Sequence, residues 1–184
     1  YKQIFSNPLI LKQLLESFVK MDWVTKIDFS KAENLNTTLI KDDLKHIEAD
    51  LIYKLTLNGE DIYLYLLLEF QSKVDSFMAL RMLRYVLEFY ERLRKNTPLK
   101  KLPMVFPLML YNGGKKWTAP VSIQDLIEQP KDLGALQAYL PQFQYFKIIE
   151  NEFSEETLFQ IGNLVSTMFL FEMGSKESFL RLIK

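Results

Sequence analysis

Hydrophobic and polar positions alternate most regularly from Ile47 to Leu57. Ile47, Ala49, Leu51, Tyr53, Leu55 and Leu57 take the odd positions, and Glu48, Asp50, Lys54 and Thr56 fall between them. A period of two predicts a β-strand. Asn58-Gly59 follows, and both residues tolerate the positive φ of a tight turn, so the next run, Ile62 to Gln71, is expected to fold back as the second arm of a hairpin. That arm is apolar on both faces until Glu69 and Gln71, the pattern of a strand inside a sheet.

Pairing across the hairpin constrains the acids. A four-residue turn sets Asp50 opposite Glu69 and Glu48 opposite Gln71; a two-residue turn sets Asp50 opposite Leu67 and diagonal to Glu69. Either register leaves Asp50, Glu69 and Gln71 on one face, at about 5 Å or roughly 7 Å between Cβ atoms of opposite or diagonal residues. Both separations let two carboxylates hold one divalent cation. Acids at strand ends are ordinarily solvated, but Glu69 ends the run YLYLLL and lies against apolar surface, where a carboxylate must be paired or bound.

Helical periodicity appears before and after the hairpin. Residues 6–21 read as a helix capped by Asn7, with Pro8 at its first position and Leu11, Leu14, Leu15 and Phe18 on one stripe. From Asp22 to Asp43 the periodicity fails, and a loop with at most a short strand is expected. After a turn at residues 72–76 a helix runs to about Lys95, with Phe77, Leu80, Leu83, Leu87 and Tyr90 as its expected buried stripe and Arg81, Arg84, Tyr85, Glu88 and Arg92 on the other side. Val105 to Tyr111 fits an internal strand, Asn112-Gly113-Gly114 a loop, 122–129 and 132–139 short helices or turns, and 144–149 an edge strand. A single amphipathic helix is predicted from Ser154 to about Met173, and Phe171, Met173 and Phe179 suggest packing against further sequence or a second subunit.

Composition narrows the class. The 184 residues are 48% hydrophobic and 14% aromatic, enough for one domain with a full core, and the absence of an initial Met suggests a piece of a longer chain. There is no cysteine, which excludes disulfides and thiolate metal sites and fits a reducing cytoplasm; the lone His46 cannot make a histidine zinc site. No run reaches the roughly 20 apolar residues of a membrane helix. Formal net charge is zero, so no global electrostatic footprint for nucleic acid exists, although Arg81, Arg84, Arg92, Arg94, Lys95, Lys100 and Lys101 face only Glu88 and Glu91 between residues 81 and 101. Two glycines beside Lys115 and Lys116 do not make a P-loop. Trp117 serves equally well as a core anchor or a base-stacking platform.

The stretches FSNPLILKQLLESFV, EADLIYKL, YLYLLLEFQSKVDSFMALRMLRYV and LPMVFPLMLYNGGKKWTAP, in this order, resemble the recombination-promoting nuclease family, also called YhgA-like transposases, within the PD-(D/E)xK nuclease superfamily. The resemblance covers about the first three quarters of the chain. It implies an α/β fold with a restriction-endonuclease-like core, a mixed central sheet flanked by helices, and Mg²⁺-dependent hydrolysis of DNA, with Mn²⁺ as a substitute. By position, Asp50 and Glu69 would be the metal-ligating acids, and Gln71 would stand where the superfamily carries a lysine. Phe70 stands where the family motif often has His, a packing change on the opposite face. Glu16 matches the acid that the first helix of many such nucleases supplies, although alone it reads as an exposed helix residue. Arg81, Arg84 and Tyr85 would contact DNA, although either arginine could instead pair with Glu88. The competing expectation is a nuclease fold that has lost catalysis and serves as a DNA-binding or protein-interaction module, which Gln71 and zero net charge favour.

Overall fold

A computed structural model describes residues 1–35, 50–69 and 73–174, with the backbone alone at residue 50. His46, Phe70 and Gln71 lie outside the described residues, as does Phe179.

Five strands form one mixed sheet: β1 (Ile27–Asn34), β2 (Asp50–Leu57), β3 (Glu60–Glu69), β4 (Val105–Tyr111) and β5 (Phe146–Ile149), in sequence order across the sheet. The first three are antiparallel, and β3–β4 and β4–β5 are parallel. The hairpin closes with the two-residue turn, Leu57 pairing Glu60, because Asn58 and Gly59 both take positive φ, 50° and 85°. Asp50 therefore pairs Leu67, two residues short of Glu69. The loop expected from Asp22 to Asp43 contains an eight-residue strand, β1, whose irregular register between Asp28 and Glu33 hides its alternation.

Helices cover both faces, giving three layers. On one face α1 (Lys2–Phe5), α2 (Pro8–Phe18), α4 (Glu155–Ile161) and α5 (Leu164–Met173) pack Phe5, Leu11, Leu15, Leu158 and Phe169 onto Leu51, Leu55, Leu66 and Leu110. The buried Tyr53 hydroxyl donates to the Phe5 carbonyl at 2.8 Å and fastens α1 to β2. Asn7 caps α2 by accepting from the Leu9 amide at 2.9 Å, with Pro8 at the first position. The C-terminal helix is two helices: Gly162 takes a left-handed conformation, φ 60°, that ends α4, and Asn163 caps α5 with a reciprocal bond to Ser166. The expected short helices near 122–129 and 132–139 are 3₁₀ turns at Ile123–Leu126 and Gly134–Tyr139.

The other face is covered by α3 (Met78–Asn96). Its buried stripe is Met78, Ala79, Met82, Val86, Phe89 and Leu93, packed against Tyr65, Leu67, Met109 and Tyr111. The stripe expected from sequence is therefore corrected: Phe77, Leu80 and Leu87 are more than half exposed. The helix carries two apolar stripes, and the one that meets the sheet is accompanied by side-chain ties at the first turn.

Candidate active site

Those ties converge on Glu69, the last residue of β3. Its backbone pairs with Tyr111 on β4, and its side chain lies on the α3 face with only 4% exposure. Burying a carboxylate is costly unless it is paired. Arg81, one turn into α3, supplies the partner: one guanidinium nitrogen, Nη2, reaches Glu69 Oε2, and the other, Nη1, reaches Asp75 Oδ2 at 3.2 Å. Asp75 also accepts from the Phe77 amide at 2.9 Å, so one carboxylate sets the start of the helix and the direction of the arginine.

Arg81 Nε is buried without a hydrogen-bond partner among the described residues, and so is the hydroxyl of Tyr111, the residue paired with Glu69 on β4. Tyr111 packs edge-on against Trp117, with ring centroids 4.8 Å apart, and its phenol oxygen lies over Gly113, where any Cβ would overlap it. Trp117 donates its indole N–H to the Tyr145 hydroxyl at 3.2 Å and is buried, which makes it a core anchor and not a stacking platform. The Gly113 and Lys115 carbonyls accept from the Asn151 side chain at 2.8 and 3.5 Å, so the Asn-Gly-Gly turn is held from both sides. Lys115 and Lys116 stand exposed beyond it.

The sequence-derived residues distribute unevenly. Backbone register puts position 50 on the face of Leu67 and Glu69, diagonal to Glu69. Glu16 lies on α2, which packs on the opposite face of the sheet; it is exposed and pairs Lys12 at 3.8 Å, so the fold does not bring it to Glu69. Arg84 is also exposed, 3.5 Å from Glu88 and 5.1 Å over the ring of Tyr85, which in turn stacks on Tyr65. Among the described residues no group of three acids or histidines is placed to hold a metal.

Sequence reasoning missed Asp75 and Tyr111 here. An Asp two residues ahead of Phe77 is a helix-start signal that was available, whereas nothing in the pattern of a seven-residue apolar strand marks its last tyrosine as polar. It missed Glu150 as well, a second buried acid with 3% exposure, immediately after β5. Burial, and then the charge of Glu172, pushes the Glu150 carboxyl up to about 8, while the Tyr1 hydroxyl beside it acts in the other direction.

The family described as "Putative transposase, YhgA-like" matches residues 1–169. The chain is 23% identical over 115 residues to the recombination-promoting nuclease RpnD of Escherichia coli O157:H7, covering 62% of this chain and 44% of that protein. It is 28% identical over 113 residues to RpnC of E. coli K12, covering 61% and 37%, and 29% identical over 77 residues to the inactive recombination-promoting nuclease-like protein RpnE of the same strain, covering 42% and 25%. The matches thus span less than half the length of these relatives. No solved structure matches the chain.

Proposed function

The chain belongs to the YhgA-like transposase family, and from that premise we propose that it forms the catalytic core of a metal-dependent nuclease that hydrolyses DNA phosphodiester bonds. The names of the relatives RpnD and RpnC as nucleases support the reaction class. The observation that carries the reading is the buried Glu69 at the carboxyl end of an internal strand, with position 50 diagonal to it on the same face.

The donor set fits a hard divalent cation. Glu69, Asp50 and Asp75 offer carboxylate oxygens, and the chain has no thiol, which suits Mg²⁺ or Mn²⁺ and not zinc. Such a cation, when bound, lowers the pKa of a water and stabilises charge on phosphate oxygens. Asp50 and Glu69 would hold it. Arg81, whose buried Nε has no partner among the described residues, would carry the remaining donor for a phosphate oxygen, and Asp75 holds the other side of its guanidinium. Gln71 would orient the water by hydrogen bonding, since it carries no charge. Arg84 is already engaged with Glu88 and the Tyr85 ring, so this reading gives neither Arg84 nor Tyr85 a part in the phosphate site, and it leaves Glu16 outside the centre.

A nuclease fold without catalysis is the second reading, and the Glu69–Arg81 pair favours it, because a carboxylate already neutralised by a guanidinium has less need of a cation. Nicking of supercoiled plasmid with Mg²⁺ or Mn²⁺, beside Asp50→Ala, Glu69→Ala and an EDTA control, separates the two. The nuclease reading expects each substitution to lower the rate at least ~100-fold with the fold intact. Cutting by Asp50→Ala at the parental rate would remove the proposed centre. A folded chain that neither cuts nor binds Mn²⁺ in a calorimetric titration would establish the second reading.

A further inference from the structure

The outer stripe of α3 has an ordered sequence of its own. Phe77, Leu80, Arg84, Leu87, Glu91 and Arg94 are all exposed and recur at spacings of three and four, the seam of an antiparallel or parallel helix pair. Large exposed apolar stripes of this kind mark interaction sites. DNA does not suit it, because a phosphate backbone asks for one sign of charge, whereas Arg84 and Arg94 alternate here with Glu91 among leucines.

We propose that this face binds a second copy of the chain, with the two α3 helices antiparallel about a two-fold axis at Leu87. An axis there makes the stripe self-complementary. Leu87 meets the partner's Leu87, and because 84 and 91 lie nearly equal distances either side of the axis, Arg84 meets the partner's Glu91 twice over, in exchange for the exposed pairs Arg84–Glu88 and Arg94–Glu91 that each helix makes within itself. Phe77, ten residues or about 15 Å from Leu87 along the helix, reaches the level of residues 97–99 of the other copy. A groove of about 600 Å³ opens at that level, lined by Leu87, Tyr90, Leu99 and Leu102 together with four charged side chains, Lys100 and Lys101 among them. Leu102 is 55% exposed and Phe77 57%, so each end of the stripe offers apolar surface for the other to cover. A net charge of zero leaves no long-range repulsion between copies.

The inference does not rest on the nuclease reading, and its test reads association and not cleavage. Sedimentation of the 184-residue chain over a concentration series is expected to show a monomer–dimer equilibrium. Arg84→Glu and Glu91→Arg should each weaken it by about tenfold or more, since like charges then face each other across the axis, and an equimolar mixture of the two variants should recover it. Because the chain has no cysteine, Leu87→Cys provides an independent reading: a residue on the axis should oxidise to a disulfide-linked dimer, while Leu9→Cys, on the opposite layer, should not. A folded chain that stays monomeric throughout the series, or a dimer that both charge reversals leave unchanged, overturns the proposal. A longer form of the protein in which other sequence covers the stripe would show as a monomer insensitive to Leu87→Glu, and would also overturn it.

Discussion

Arg81 links three elements through one side chain, and its removal is more informative than that of either acid. Glu69 is nearly inaccessible, so Arg81→Ala leaves a carboxylate buried without its counter-ion. Breaking such a pair costs about 3 kcal/mol, the low end for a buried ion because Arg81 itself keeps 20% exposure. Urea unfolding of Arg81→Ala is expected to show this loss, and Glu69→Gln in the same background to recover most of it, since a neutral amide has no ion to desolvate. Equal stability of Arg81→Ala and the parent chain would mean that the carboxylate finds another partner.

Among the elements, α3 shows where reading a sequence succeeds and where it stops. Its bounds were legible within two or three residues, but its orientation was not, because Phe77–Leu80–Leu87 and Met78–Met82–Val86–Phe89 are both apolar stripes and periodicity alone cannot rank them. The stripe that meets the sheet goes with the contact of Arg81 to Glu69, twelve residues earlier, and with the hold of Asp75 on Arg81, neither of which periodicity reveals. The hairpin was legible as far as its shared face, since Asn58-Gly59 marks the turn and parity keeps position 50 and Glu69 together in either register, but the choice between a two-residue and a four-residue turn was not. The break at Gly162 was legible in principle: Gly-Asn followed by an apolar run is a stop and a cap, but the apolar spacing continues across it. The orientation of α3 can be checked directly. Met82→Ala should cost about 2–5 kcal/mol in thermal or urea unfolding, and Leu80→Ala less than about 0.5 kcal/mol in a dilute monomeric sample. The reverse order would return the helix to the stripe expected from periodicity.

At the scale of the whole molecule, the sheet separates two buried acids with different responses to pH. Glu150 lies on the face away from Glu69, with its carboxyl raised from an ordinary 4.5 to about 8 by burial and by Glu172. In the unfolded chain it ionises above 4.5, whereas the folded chain keeps the proton until about 8, so its contribution to stability is complete below 4.5 and declines as pH rises between the two values. Glu150→Gln should therefore raise Tm at pH 8, by roughly 2–4 °C for each kcal/mol relieved, and leave it nearly unchanged at pH 4. A gain of the same size at both pH values would place its origin in packing and not in titration. The same division of the molecule by its sheet distributes the two tryptophans, one to each layer. Trp23 packs 4.8 Å from Phe106 on the α2 side, and Trp117 packs 4.8 Å from Tyr111 on the α3 side. Replacing either with Phe leaves a single emitter that reports one layer alone. Superimposed fluorescence transitions would mean the two helical coats melt as one cooperative body, and separated midpoints would mean the sheet can shed one coat while keeping the other.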